Sequence, residues 1–186
     1  MPKSSTSAVH LDFELLSMTE LRSRPGDVLD RVANQGSAFI IERNGERKAC
    51  LVPLAALLPD IAPDRIAREL KDLEGRGEEP HTTINDAREL VFHFPNGNAR
   101  EDGVGLTIVL PHGYPNRCPR VYVDRVDGTV PHRWADGALC LFGVMSAWNP
   151  GKHTVWSTLF LARRWLDNYD AWKKNGIWPK TGFTNE

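Results

Sequence analysis

Cys140 is the residue of this sequence best placed to do covalent chemistry. It lies between two leucines, directly after the tight-turn pair Asp136-Gly137, and the Trp-Asn-Pro step at 148–150 closes the segment. A thiolate is nucleophilic near neutral pH and leaves well in a following step. A cysteine in this setting is therefore either a small buried hydrophobe or an acceptor for an acyl group.

The motifs around Cys140 occur in a distinctive order. Residues 114–119 read Tyr-Pro-Asn-Arg-Cys-Pro, a valine-rich strand follows at 121–123, and His132 precedes Cys140. This order resembles the ubiquitin-conjugating enzymes, whose core reads Tyr-Pro-x-x-Pro-Pro, strand, His-Pro-Asn, Gly-x-x-Cys-Leu, Trp-Ser-Pro, helix. The resemblance covers about residues 64–179 and places Cys140 on the thioester-forming position.

The resemblance implies an enzyme that receives a ubiquitin-like protein from an activating enzyme and passes it to an amine, normally a lysine. His132 and Asp136 are the residues expected to assist Cys140. Tyr114, Trp148 and Asn149 are expected in the surrounding substrate loop. No cofactor is expected.

One departure from the family pattern bears on catalysis. Residues 132–134 read His-Arg-Trp where the family has His-Pro-Asn, so the asparagine credited with stabilising the oxyanion is missing. Either His132 or Asp136 substitutes for it, or lysine transfer proceeds differently, or the domain is an inactive binding module. Cys118 also replaces a proline of the family pattern and is either a resolving thiol or a packed one.

Zinc binding and hydrolysis are two alternatives to thioester chemistry for these residues. His112, Cys118, His132 and Cys140 are potential zinc ligands, but no C-x-x-C or H-x-x-x-H spacing is present, so no metal is expected. A hydrolase using Cys140, His132 and Asp136 lacks a visible oxyanion-hole loop.

The elements that must position Cys140 form an α+β pattern. Strands are predicted at 88–95, 105–111 and 120–126, with a turn near 96–98, and such consecutive strands make an antiparallel meander that needs a helix against it. A helix at 65–73 places Ile66, Leu70 and Leu73 on one face, with its charges elsewhere, and Asp64 as its cap. A second helix at 154–174 carries an aromatic stripe, which predicts packing: Trp165, Tyr169 and Trp172.

The first sixty residues predict a separate small α+β module. A strand at 9–16 precedes a helix at 19–34, capped by Ser17 and broken near Pro25. Strands at 38–41 and 48–53 flank the hairpin signal Asn44-Gly45, and a short helix follows at 54–58. Cys50 is expected in the core of its strand.

This element order resembles the prevent-host-death (Phd/YefM) antitoxin family, on residues 18–22, 26–30, 39–45 and 49–54. The resemblance implies a homodimer that binds operator DNA, and a C-terminal part that holds a toxin. Seven Lys/Arg against eight Asp/Glu in residues 1–60 make a weak electrostatic footprint for DNA. Arg22 and Arg24 are the local candidates for phosphate contacts.

The composition and charge of the chain limit the class of protein it can be. The 186 residues carry a net charge of −1, which does not call for nucleic acid or an anionic membrane. No apolar run reaches a membrane span, the N-terminus lacks the apolar core of a signal peptide, and three widely spaced cysteines suggest no disulfide framework. We therefore expect a cytoplasmic protein with an antitoxin-like module at 1–60 and a ubiquitin-conjugating-like domain at 61–186.

Overall fold

A computed structural model of the chain describes residues 11–95, 103–126, 129–142 and 147–179. The turn predicted near 96–98 and the start of the strand predicted at 9–16 lie outside these ranges. The chain divides into two compact units, Met1–Pro59 and Asp60–Glu186. None of the helices in the described ranges has the length and apolarity needed to span a membrane.

The N-terminal unit is a three-stranded sheet with helices on one face. Strand β1 runs parallel to β2, and β3 pairs with β2 in the antiparallel sense, in the order β1-β2-β3. Its elements occur in the predicted order: β1 Phe13–Ser17, α1 Met18–Ser23, α2 Pro25–Gln35, β2 Ala38–Arg43, β3 Glu46–Leu51 and α3 Leu54–Leu57.

Local signals in the sequence explain the boundaries of these elements. The Ser17 hydroxyl accepts a hydrogen bond from the Glu20 amide, at 3.1 Å, and so caps α1. Pro25 is the first residue of α2, where its fixed φ suits the helix and its missing N–H costs nothing. Asn44 and Gly45 both have positive φ, which a two-residue hairpin turn of this type requires.

The two faces of the N-terminal sheet differ sharply in burial. Leu16 and Phe39 pack with Val28 and Val32 of α2 to form a small core. The opposite face is open: Leu15, 60% exposed, pairs with Ile40, which pairs with Cys50 across the next strand. The prediction of a buried Cys50 was wrong, because β3 turns its side chains to solvent along most of its length.

The C-terminal unit contains an antiparallel meander in the order β4-β5-β6-β7. This confirms the predicted α+β class with an antiparallel sheet and flanking helices. Phe92 and Ile108 are paired and fully buried, and Leu159 and Trp165 of the long helix α5 are also buried. The elements are α4 Pro63–Glu74, β4 His81–Ile84, β5 Leu90–Phe94, β6 Leu106–Leu110, β7 Arg120–Val123 and α5 Val155–Asn175.

Helix α4 buries a different face from the one predicted. Leu70 is 41% exposed, whereas Arg65 and Glu69, two of the charges expected away from the apolar face, are 8% and 1% exposed. The helix also begins at Pro63, with Ala62 rather than Asp64 as its N-cap. Ile66 and Leu73 are buried as predicted, but the buried face of α4 also includes the Arg65–Glu69 ion pair.

The Arg65–Glu69 pair forms a closed triangle with a tyrosine. Arg65 Nε lies 2.6 Å from Glu69 Oε1, and Arg65 Nη2 donates to the Tyr114 hydroxyl at 3.0 Å. The Tyr114 hydroxyl in turn donates to Glu69 Oε1. Burial and the neighbouring Glu69 carboxylate raise the pKa of Tyr114 far above its usual value, so the phenol stays protonated and donates.

The same pair also reaches the segment that leads into α5. The other guanidinium contacts go to the carbonyls of Pro150, at 2.9 Å, and His153, at 2.8 Å. The second Glu69 oxygen accepts the amide of Val155, the first residue of α5, at 2.7 Å. Each charge therefore has several hydrogen-bonding partners besides its counter-ion, the condition under which a buried ion pair is tolerated. Helix α4 is thereby tied to the Tyr114 loop and to the start of α5.

We predict that Glu69→Ala lowers the free energy of unfolding of the C-terminal unit by about 3–5 kcal/mol, because Arg65 is left buried without its counter-charge. All six tryptophans lie between residues 134 and 178, so tryptophan fluorescence during denaturation reports this unit alone. The matched control is Glu74→Ala on the exposed end of α4, expected to change stability by no more than about 0.5 kcal/mol. A loss of less than about 1 kcal/mol for Glu69→Ala contradicts the role given to the ion pair.

Candidate functional site

Cys140 lies at the end of a short hairpin formed by residues 132–140, here called the Cys140 hairpin. Arg133 and Leu139 form its antiparallel bridge, and the Gly137 amide donates to the Trp134 carbonyl to close the turn. Gly137 has a φ of 86°, which strains most other residues, so the Asp-Gly turn signal is explained. The Leu139 amide donates to the Val121 carbonyl at 2.8 Å and attaches the hairpin to β7.

Arg133 and Asp136 hold this hairpin in shape. The Arg133 guanidinium donates to the carbonyls of Gly137 and Val126, at 3.1 and 3.0 Å. Asp136 Oδ1 accepts the Ala138 amide at 3.1 Å, and its Oδ2 lies 3.2 Å from Arg120 Nη1. The carboxylate expected to assist catalysis thus has a turn amide and an arginine as its partners in the structure.

His132 serves the site through its backbone. Its carbonyl accepts the Cys140 amide at 2.8 Å and the indole N–H of Trp165 at 3.0 Å, so one oxygen joins the Cys140 hairpin to α5. His132 adopts a φ of 57°, which is uncommon for a residue with a side chain. Its ring packs on Trp178, with centroids 4.9 Å apart, and Trp178 also contacts Trp165 at 5.3 Å.

Tyr114 and Trp148 come together in the loop beside the site. Trp148 is 8% exposed, its indole N–H donates to the Pro115 carbonyl at 2.7 Å, and its ring lies 6.1 Å from that of Tyr114. Trp148 is therefore a packed residue of the loop. The exposed Asn149 organises the turn, because its side-chain oxygen accepts the Gly151 amide at 2.9 Å.

The three thiols have different environments, and none is in a disulfide. Cys50 is exposed in the N-terminal unit, and Cys140 is half-buried at the end of its hairpin. Burial raises the pKa of the Cys118 thiol to about 12, which keeps it protonated and unreactive at neutral pH. Within the described ranges, no three side chains of His, Cys, Asp or Glu gather where they could hold a metal ion.

His112 belongs to a separate cluster at the start of the C-terminal unit. Its Nδ1 lies 2.6 Å from Asp60 Oδ2 and its Nε2 lies 2.7 Å from the Ala87 carbonyl. Both ring nitrogens face acceptors, the backbone carbonyl having the larger effect, and the pKa of His112 is therefore raised. The arrangement suits a protonated, structural imidazole.

Arg22 and Arg24, the candidates for DNA contact, are both exposed: Arg22 lies in the last turn of α1, and Arg24 is the cap residue between α1 and α2. Arg24 pairs with Glu20 one turn earlier, at 3.0 Å, so part of its charge is already compensated. The DNA-binding role stays a prediction.

Three residues that support the site were not predicted from the sequence to do so. Trp165 was assigned to packing, but its indole N–H is a specific donor to His132. Trp178 was not identified, although the two lysines in the last turn of α5 and the left-handed Gly176 mark the helix end beyond which the chain turns back. His153, whose ring nitrogen accepts the Asn149 amide at 2.9 Å, was also not identified.

We predict that Trp178→Ala loosens the Cys140 hairpin while leaving the fold intact. Loss of an aromatic contact of about 1 kcal/mol should raise amide exchange in residues 132–142 about five- to tenfold, measured by hydrogen exchange and mass spectrometry. Trp172→Ala is the control, since that ring stacks on Tyr169 of the same helix, and it should leave this segment unchanged. Equal exchange in the wild-type protein and Trp178→Ala contradicts the role of Trp178.

Comparisons with known proteins agree with the C-terminal architecture. Residues 110–185 match the family described as "Type II CBASS E2 protein", and this match contains the Cys140 hairpin, the Trp148 loop and α5. It covers less than half of the chain. No curated protein is significantly similar in sequence.

Two of the solved structures with some similarity to the chain are a ubiquitin-conjugating enzyme and a UEV domain. Human ubiquitin-conjugating enzyme E2 G1 is 20% identical, with 63% of this chain and 98% of that chain covered and a TM-score of 0.40. The Vps23 UEV, from a complex with ubiquitin, is 13% identical, with 60% and 88% covered and a TM-score of 0.38. The family match supports a ubiquitin-conjugating-like domain of bacterial type in the C-terminal unit. The antitoxin resemblance of the N-terminal unit has no support among these comparisons and stays a prediction.

Proposed function

We propose that the protein is a conjugating enzyme for a ubiquitin-like modifier, with Cys140 as the acceptor thiol, acting in the bacterial defence setting that the CBASS family match indicates. The observation that carries this proposal is the half-buried Cys140 thiol at the end of a hairpin fixed through the His132 carbonyl, inside the matched segment.

The reaction proposed for Cys140 exchanges one thioester for another. The Cys140 thiolate, whose proton has passed to solvent, attacks the carbonyl carbon of the modifier's thioester; a new C–S bond forms, and the activating enzyme's cysteine leaves as a thiolate with the electron pair of the broken C–S bond. In the next step an amine of the target attacks the same carbon, a C–N bond forms, Cys140 leaves as a thiolate and the surplus amine proton passes to solvent. Because the amide of Cys140 donates a hydrogen bond to the His132 carbonyl, the backbone that carries the thiol keeps one position through both steps.

The missing asparagine affects the second step more than the first. Trp134 stands at that position, is 48% exposed and uses its backbone amide to bond Ala138 inside the turn. The Asp136 carboxylate forms a salt bridge with Arg120, and the His132 ring packs on Trp178. Both residues predicted to substitute for the asparagine, His132 and Asp136, thus have other partners in the structure. We therefore expect formation of the Cys140 thioester to be retained more securely than transfer to lysine.

We predict that the full chain becomes charged, that is, linked to the modifier as a thioester, when it is incubated with the activating enzyme, ATP and the modifier. The adduct should disappear with reducing agent, should become a reductant-resistant ester or vanish in Cys140→Ser, and should persist in Cys50→Ser and Cys118→Ser. Gel electrophoresis with and without reductant measures it. An adduct that survives Cys140→Ala would refute the proposal, whereas saturable modifier binding without any adduct would favour a non-catalytic binding module.

For the N-terminal unit we propose self-association through the open face of its sheet. Phe13 and Leu15 are 47% and 60% exposed on this face, an unusual exposure for large apolar side chains in a strand. A unit of about 60 residues buries too little surface for comfortable stability alone, so covering this face with a second copy stabilises it. Toxin and operator binding, which the antitoxin resemblance implies, would act through such a dimer.

We predict that Leu15→Lys shifts the full chain from dimer to monomer, because a charge at the centre of an apolar interface is costly to desolvate. Light scattering after size exclusion measures the mass. Leu29→Lys is the control: Leu29 is 56% exposed but lies on α2, away from the open face, and the dimer should persist. A monomeric wild-type protein at tens of micromolar, or an unchanged mass for Leu15→Lys, contradicts self-association through this face.

A further inference from the structure

A groove of about 650 Å³ lies between helix α4 and the segment that leads into α5, in the C-terminal unit, and is here called the α4–α5 groove. One wall carries Arg68, Lys71 and Arg76, and the other is formed by residues 151–157. The residues that line it all lie outside the Cys140 hairpin. Its volume is within the range of sites for small ligands.

The α4–α5 groove is strongly basic. Five cationic side chains and two carboxylates are among the described residues that line it, a net charge of +3 in a chain whose total is −1. Both carboxylates already have partners. Glu69 is buried in its ion pair with Arg65, and Asp72 accepts from Arg76 Nε at 3.0 Å and from the Thr154 hydroxyl at 3.2 Å. Little negative charge is therefore left to compensate the exposed cations of the groove.

Three of these cations have no counter-charge in the described part of the chain. Arg68, Lys71 and Lys152 are exposed, and no described residue forms an ion pair or a hydrogen bond with their side chains. Arg68 and Lys71 are three residues apart on α4, a spacing at which like charges repel each other. Lys152 adds a third positive charge from the opposite wall. An anion bound between the walls would remove this repulsion.

Arg76 is a cation that the structure holds in place. Its guanidinium lies over the Trp156 ring, 4.7 Å from the ring centroid, while its Nε donates to Asp72. Its two terminal nitrogens have no acceptor among the residues that the structure describes, so they remain available as donors. A planar guanidinium that is already ordered on an aromatic ring loses little conformational entropy when it binds an oxyanion.

We propose that the α4–α5 groove binds a small polyphosphate anion, such as the triphosphate group of a nucleotide, through Arg68, Lys71, Arg76 and Lys152. Arginine forks match pairs of phosphate oxygens, and lysines supply compact point charges beside them. The bound anion bridges α4 and the segment before α5 and stabilises the C-terminal unit. No covalent bond is made or broken, and the site does not depend on the chemistry of Cys140.

Charge density favours a polyphosphate over an acidic peptide or a nucleic acid. One triphosphate group carries enough negative charge for the whole groove, whereas a peptide must order several carboxylate side chains in the same space, each at an entropic cost. A nucleic acid spreads its charge along its backbone and is bound by basic residues along that path. The unpaired cations here share one groove, in a chain whose net charge is −1.

The test measures the binding of tripolyphosphate and of ATP to the full chain by isothermal titration calorimetry, at low and at high salt. The comparators, at matched ionic strength, are sulfate, an oligoglutamate peptide and a single-stranded oligonucleotide. The NMR signal of the Trp156 indole, identified with Trp156→Phe, reports binding in the groove that this residue lines. Because no modifier is present, the outcome is separate from that of the proposed thioester function.

We expect tripolyphosphate and ATP to bind saturably, to shift the Trp156 signal, and to bind at least about tenfold more tightly than each comparator. Their affinity should fall at high salt. Arg68→Glu on α4 and Lys152→Glu on the opposite wall should each weaken binding about tenfold or more, because each removes a charge-assisted hydrogen bond. Both side chains are exposed, so both variants should fold.

Lys174→Glu is the matched control. It changes the net charge of the chain by the same amount, but it lies in the last turn of α5, about 30 Å along the helix from the groove, and should leave the affinity unchanged.

Absence of saturable binding, or an affinity that neither Arg68→Glu nor Lys152→Glu lowers, would overturn the proposal. Sulfate or oligoglutamate that binds as tightly as tripolyphosphate would overturn it as well, since the groove would then not select phosphoryl groups. An oligonucleotide that binds more tightly than ATP would assign the groove to nucleic acid instead. A loss of affinity in Lys174→Glu as large as in Lys152→Glu would show that net charge alone is responsible, which also contradicts a defined site.

Discussion

The buried ion pair between Arg65 and Glu69 fixes the geometry of the C-terminal unit. Two charges with so little exposure are tolerated only when every hydrogen-bonding position is filled, and here the partners come from three separate segments. Helix α4, the Tyr114 loop and the start of α5 therefore cannot shift independently. The side of α4 that carries the pair is buried for this reason, and Leu70 is left at the surface.

Helix α5 connects the Arg65–Glu69 ion pair to the hairpin that carries the proposed acceptor thiol, Cys140. The Val155 amide at the start of the helix donates to Glu69, and nearly three turns later the Trp165 indole donates to the His132 carbonyl. That carbonyl also holds the Cys140 amide. A thiol that must attack a thioester in one step and present its own thioester to an amine in the next benefits from a fixed backbone, since misplacement by about 1 Å costs up to a hundredfold in rate.

Local patterns in the sequence predicted most of the elements but not the contacts between them. The break at Pro25, the Asn44-Gly45 hairpin and the Asp136-Gly137 turn follow from backbone preferences of single residues, so they were predictable. Strand β4 was missed because it is short and mostly exposed, which removes the alternation that marks a strand. Arg65 and Glu69 were not predicted in the buried face of α4 because charged residues are rarely buried, and only their tertiary partners make that burial possible. The contact of Trp178 with His132 depends on the chain turning back after α5, which no periodicity records.

The central claim is that Cys140 is the residue that carries the modifier. The most direct measurement is peptide-level mass spectrometry of the full chain isolated after reaction with the activating enzyme, ATP and the modifier, with hydroxylamine used to release thioesters. We predict a modifier-derived adduct on the peptide that contains Cys140, lost on hydroxylamine treatment, while the Cys50 and Cys118 peptides stay unmodified. An adduct on either of those two peptides, with Cys140 unmodified, would contradict the account.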